Sequence, residues 1–118
     1  MVYTSGTTGN PKGVVHKHGS LQAQMDSLSA AWKYESSDRI LNVLPLHHVH
    51  GIVNVFNTSL WNGSTIEMLP GSFDAGKTWK ALLRSDDPFS VFMAVPTVYN
   101  ILAKYIKDGK LRDTYSDE

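Results

Sequence analysis

Strand-like and helix-like patterns take turns along this sequence, and that alternation restricts its fold more than any other feature. Met1 to Thr4 reads as the end of a β-strand running into a glycine-rich turn. Leu21, Met25, Leu28 and Trp32 recur at helical steps, which predicts a helix from about Ser20 to Tyr34. Ser36-Ser37-Asp38 breaks it, and Ile40 to Leu44 reads as a mostly buried strand. A second helix is expected from about Gly51 to Trp61, with Ile52, Val53, Phe56 and Leu60 inward and Asn62-Gly63 as its stop. Thr65 to Leu69 is the next strand, closed by Pro70-Gly71. Asp74 is placed to cap a helix that carries Trp79, Leu82 and Leu83 on its inner face. Phe89 to Val95 is the most strand-like run, and Pro96 opens a helix with Val98, Ile101, Leu102 and Tyr105 on one face. The polar stretch from Lys107 to Glu118, with Gly109 as a stop, reads as a surface exit.

Such alternation calls for right-handed crossovers and a mainly parallel sheet, so the fold class is α/β. Parallel sheets are covered on both faces, which places an apolar run such as Phe89–Val95 in the middle. At 118 residues the chain forms one block, with no repeat, linker or low-complexity stretch. Eleven basic and eleven acidic residues cancel, which removes the electrostatic case for a nucleic-acid binder. Without cysteine there is no disulfide, thiolate chemistry or cysteine-ligated zinc, and an intracellular protein is the easier reading. No apolar run reaches the roughly 18 residues of a membrane span, and no signal peptide is visible. Trp32, Trp61 and Trp79 fall at helical spacing and read as core.

The most informative stretch is Tyr3-Thr4-Ser5-Gly6-Thr7-Thr8-Gly9-Asn10-Pro11-Lys12-Gly13. Its glycines let backbone N–H groups turn toward a ligand with no side chain in the way. The hydroxyls of Thr4, Ser5, Thr7 and Thr8 add donors suited to phosphate oxygens, and Lys12 adds a mobile positive charge. Between a strand and a helix, such a loop is an anion cradle.

A second cluster, Leu44-Pro45-Leu46-His47-His48-Val49-His50-Gly51, ends a strand and opens a helix, where α/β proteins place ligands. Consecutive side chains point apart on extended backbone and no acidic residue lies in the run, so a metal site is a poor fit.

The first stretch resembles the phosphate-binding signature of the adenylate-forming enzymes, which include acyl-CoA synthetases, luciferases and peptide-synthetase adenylation domains. By that resemblance Thr4, Ser5, Gly6, Thr7, Thr8, Gly9 and Lys12 hold the β- and γ-phosphates of ATP, and Thr4 is a hydroxyl ligand of Mg²⁺. The histidine run is similar to the second core motif of acyl-CoA synthetases, with His48 beside the adenylate and the acyl carbonyl. His-Val-His-Gly together with Phe92-Met93-Ala94-Val95-Pro96-Thr97 is similar to malonyl-CoA synthetases in particular. His50 then lines the acyl pocket, where it meets a second carboxylate on the substrate. The activity implied joins ATP and a carboxylate into an acyl-adenylate with release of pyrophosphate, after which CoA displaces AMP. Lys12 and His48 are the catalytic candidates. The partners implied are ATP, CoA and a small carboxylic acid, and the compartment is mitochondrial or cytoplasmic.

The resemblance spans nearly the whole chain but a minor part of a family member. Residues 1–118 are therefore expected to be a piece of a large N-terminal domain. The adenine and ribose sites, the acidic Mg²⁺ ligand and the small C-terminal domain lie outside it. Two rivals remain. Gly71-Ser72-Phe73-Asp74-Ala75-Gly76-Lys77-Thr78 matches the P-loop pattern of nucleotide phosphatases letter for letter. Against it, Pro70 intervenes after the strand, Asp74 puts a negative charge in the cradle, and no later strand ends in the Asp expected for Mg²⁺. The other rival is a non-catalytic truncated product.

Overall fold

The computed structural model describes residues 1–6 and 9–115, with side chains as far as residue 112. It opens with a hairpin, β1 (Val2–Thr4) against β2 (Lys12–Val14), paired antiparallel with Tyr3 opposite Gly13. Helix α1 (His18–Trp32) follows, then strand β3 (Arg39–Asn42). Helix α2 starts with π-helical turns over His50–Asn57 and continues as α-helix over Thr58–Trp61. Strand β4 (Thr65–Met68), helix α3 (Ala75–Leu82), strand β5 (Val91–Met93) and helices α4 (Pro96–Lys107) and α5 (Lys110–Tyr115) complete the order.

The crossover strands form a parallel sheet in the order β4-β3-β5, with Ile40 level with Ile66 and Val91. The α/β class therefore holds for β3 onward, while the opening hairpin is antiparallel and lies outside that sheet. β3 holds the centre, not Phe89–Val95 as expected from its apolarity. Its residues Ile40 and Leu41 are fully buried, whereas β5 pairs on one side over three residues. Phe89 lies outside β5 and takes the Arg84 guanidinium over its ring at 4.4 Å. Arg84 also forms a two-point pair with Glu67, at 3.2 and 2.8 Å, which holds its guanidinium above the ordinary arginine value. Arg39 pairs with Asp87 at 2.6 Å beside it.

Helix α1 starts two residues before the expected Ser20 because the Ser20 hydroxyl closes the first turn. It donates to the Lys17 carbonyl at 2.8 Å and accepts the Lys17 N–H at 3.2 Å. The helix ends at Trp32, since Lys33 turns left-handed at φ 54°. Helix α2 buries Val53 and partly buries Ile52 and Phe56 as expected, but its stripe shifts at Leu60. Val53, Val55, Thr58 and Ser59 are inside, and Leu60 is exposed. The π turns explain this, because they bring residues five apart over one another. The Thr58 hydroxyl accordingly donates to the Val53 carbonyl five residues back at 2.8 Å, whereas Ser59, where the α-helix resumes, donates to Val55 four residues back at 2.6 Å.

The core groups Ile40, Leu44 and Val55, with Tyr34, Val91 and Met93 packed against them. Burial pushes the Tyr34 phenol above its ordinary value. Helices α1 and α2 are tied by Gln24 to Asn54 at 2.7 Å and by the Trp61 indole N–H to Asp26 at 2.9 Å. Trp32 and Trp61 are half exposed, so neither is the core residue expected, while Trp79 is partly buried and donates to the Leu102 carbonyl at 3.1 Å. On α3, Thr78 and Ala81 are buried and Leu83 is exposed. On α4, Leu102 is buried and Ile101 exposed. Gly109 stops α4 at φ 76° as expected, but α5 follows where a surface exit was predicted. No helix among the described residues is long and apolar enough to cross a membrane.

Candidate active site

Strand pairing builds the base of the glycine-rich loop. Thr4 and Lys12 sit directly opposite each other in the hairpin, and opposed residues of an antiparallel pair share a face. A threonine and a lysine that are separated in sequence are thereby paired at the base of the loop. The Thr4 hydroxyl donates to the Lys12 carbonyl in a long bond of 3.4 Å. Ser5, Gly6 and Gly9 belong to the connecting loop, whereas Thr7 and Thr8 lie outside the described residues. Gly6 has φ +70°, and a Cβ there would run into the Asn10 carbonyl, so only glycine keeps the turn this tight. The expected strand–loop–helix setting is corrected to strand–loop–strand. Lys12, Gly13 and Val14 pair back onto β1 before α1 begins, so the loop's donors are turn amides and hydroxyls rather than a helix N-terminus.

The histidine run folds as a turn from β3 into α2. The Asn42 side chain accepts the Leu44 N–H at 2.9 Å and ends the strand. The His48 N–H donates to the Pro45 carbonyl at 3.2 Å, and the His48 carbonyl accepts the Ile52 N–H at 3.0 Å. Gly51 packs on this turn so closely that a Cβ would collide with the Pro45 carbonyl. His47 and His48 are exposed with ring centroids 4.3 Å apart, and His50 is half-buried in the first turn of α2. Among the described residues no three His, Asp or Glu side chains converge as metal ligands do.

Between the hairpin and the α1–α2 pair lies a cleft of about 580 Å³. Val2 and Tyr3 of β1 border it on one side, and Leu46 and His47 of the turn border it as well. His16 and His18 also line it, and neither was singled out in the sequence. Their flanking of Lys17 carries no motif; only closure of the hairpin brings them to the same cleft as His47. None of Thr4, Ser5, Gly6, Gly9, Lys12, His48 and His50 is among its lining residues.

A second cavity, of about 420 Å³, lies past the carboxyl ends of β3 and β4 and includes Ser72, Asp74, Lys77 and Thr78 of the P-loop-like run. Its chemistry is wrong for phosphate. The Asp74 carboxylate caps α3 by accepting the Lys77 N–H at 2.8 Å, the kind of amide a phosphate loop must keep for its ligand. The Thr78 hydroxyl is fully buried and donates to the Asp74 carbonyl at 2.7 Å, so it does not face a metal.

Comparison with known proteins identifies the family of the chain. The family described as AMP-binding enzyme matches residues 1–117. The mitochondrial malonate–CoA ligase of Bos taurus is 49% identical over 106 residues, covering 89% of this chain and 18% of that protein. The malonate–CoA ligase of Arabidopsis thaliana is 44% identical over 110 residues, covering 86% of this chain and 18% of that protein. A malonyl-CoA ligase solved as a ternary product complex with methylmalonyl-CoA and AMP superposes with a TM-score of 0.79 at 36% identity, covering 91% of this chain and 22% of that one. ATP-bound MatB from Rhodopseudomonas palustris gives a TM-score of 0.74 at 32% identity, covering 86% and 19%. The chain thus spans about a fifth of the length of these relatives.

Proposed function

This chain belongs to the AMP-binding enzyme family, and from that premise we propose that residues 1–118 are the phosphate-binding part of an ATP-dependent acid–CoA ligase. In the reaction a carboxylate oxygen attacks the α-phosphorus of ATP, the bond to pyrophosphate breaks, and an acyl-adenylate forms. The CoA thiol then attacks the acyl carbonyl and AMP leaves. Malonate is the favoured acid, in keeping with 49% identity to a bovine protein named for that substrate. That relative is mitochondrial, which makes the mitochondrion the preferred compartment.

The observation that carries this reading is the hairpin loop, which pairs Lys12 with Thr4 at the base of a tight glycine turn. Thr4, Ser5, Gly6, Thr7, Thr8 and Gly9 hold the β- and γ-phosphates through hydroxyls and backbone N–H groups. Lys12 balances the charge that moves onto departing pyrophosphate. His48, at the exposed turn before α2, stands beside the reacting carbonyl as a hydrogen-bonding group. His50, in the first turn of α2, meets the acid from outside the cleft between β1 and the α1–α2 pair.

Thr4 fits Mg²⁺ in part: its hydroxyl is a hard oxygen ligand, exposed and, among the described residues, held by a long bond to the Lys12 carbonyl. Water, phosphate oxygens and carboxylates from elsewhere in the protein complete such a shell. Bound there, Mg²⁺ supplies charge neutralisation on the phosphates.

The test is carboxylate-dependent pyrophosphate exchange in the full-length enzyme. Lys12→Ala is expected to slow exchange by about a hundredfold or more while leaving the acid's KM little changed, since the lysine acts on the phosphates. Lys77→Ala, in the first turn of α3 beside the second cavity, is expected to leave the apparent ATP affinity within about twofold. An exchange rate that ignores Lys12 but collapses with Lys77 would overturn the assignment.

A further inference from the structure

We propose that the cleft between β1 and the α1–α2 pair seats the acyl portion of the substrate, with His16 selecting acids that carry a second carboxylate. The proposal rests on the acid–CoA ligase reading and adds to it a residue that no sequence motif marks. The cleft's volume, about 580 Å³, is that of a small-molecule site. Its walls are apolar at Val2, Leu21 and Ile52. Its imidazoles are His16, His18 and His47, and among the described residues no Asp or Glu lines it. A distal carboxylate entering there meets hydrogen-bond donors and no like charge, whereas a plain alkyl end meets only the walls.

Chain continuity places this cleft beside the proposed chemistry. Val2 and Tyr3 lead directly into Thr4, the first hydroxyl of the phosphate loop, and His47 directly precedes His48. An acid activated between the loop and His48 has its remaining carbons directed along that strand and turn. His16 is set apart from the other two imidazoles by its Nε2, which is buried with no hydrogen-bond partner among the described residues. An unpaired buried nitrogen destabilises the ligand-free protein. A carboxylate in the cleft, reached by a rotation of the ring, removes that penalty and so gains affinity that a monocarboxylate does not.

The experiment uses the full-length enzyme with malonate and butyrate, and two readouts. One is binding of each acid by calorimetry with a non-hydrolysable ATP analogue present, and the other is pyrophosphate exchange. His16→Leu is expected to weaken malonate binding and its kcat/KM about tenfold or more, and to change butyrate by less than about threefold, with the KM for ATP unmoved. His16→Gln keeps a donor and is expected to recover part of the loss. Equal losses for the two acids, or no loss for malonate, overturn the proposal. Malonate binding that depends on His16 without any exchange keeps the cleft and overturns the ligase reading. Exchange with malonate binding indifferent to His16 does the reverse.

Discussion

Asp74 decides between two phosphate-loop candidates through a single hydrogen bond. In a run that matches the P-loop pattern letter for letter, its carboxylate already occupies the Lys77 amide, and the Thr78 hydroxyl is turned inward. Asp74 is thus a helix cap, and Asp74→Ala is expected to cost about 1 kcal/mol of stability, lowering the melting temperature by a few degrees. A thermal melt checks this, and an unchanged Tm contradicts the capping role. The same contrast shows what single residues reveal in sequence. The order of hydroxyls, glycines and lysine from Thr4 to Lys12 was legible because the chemistry lies in the residue types themselves. His16 was not, because a lone histidine gains meaning only from the cleft it lines and from an imidazole nitrogen with no partner among the described residues.

At the scale of elements, alternation led to the parallel pairing of β3, β4 and β5 though not to their order, and the stops at Gly63 and Gly109 fell where expected. β2 escaped notice because three residues, Lys12-Gly13-Val14, are too short to show a period. Their pairing turned a supposed strand-to-helix loop into a hairpin. The buried stripe of α2 was misread at Leu60 for another reason: a helical wheel assumes a constant pitch, and π turns over His50–Asn57 change it. Phe89 drew the sheet's centre to the wrong strand because its apolarity serves the Arg84 stack instead. The start of α2 is also where the histidine turn is fixed. Gly51→Ala must push the Pro45 carbonyl away and displace the turn that carries His48. The expected cost is about 1–3 kcal/mol, together with a fall in kcat larger than any change in the KM for ATP. Denaturant unfolding and steady-state kinetics measure the two parts; full stability with normal kcat contradicts the packing described.

As a whole molecule, the chain is thinly covered. Its radius of gyration is 16.4 Å, against about 13.5 Å for a compact chain of this length. Leu60, Trp61 and Trp32 are 57%, 50% and 48% exposed, and β4 and β5 are edge strands among the described residues. Exposed aromatic surface and unpaired strand edges favour association. Residues 1–118 expressed alone are therefore expected to self-associate and to bind ATP weakly, which sedimentation and a titration with Mg²⁺ can check. A monomer with a sharp melt and micromolar ATP affinity contradicts that expectation. The central claim, that this segment serves an acid–CoA ligase, is tested most directly by identifying the products the full-length enzyme makes from ATP, CoA and malonate. The account predicts AMP, pyrophosphate and malonyl-CoA, formed only when the acid is present. ADP and phosphate, or nucleotide cleavage indifferent to malonate and every other carboxylic acid, would contradict it.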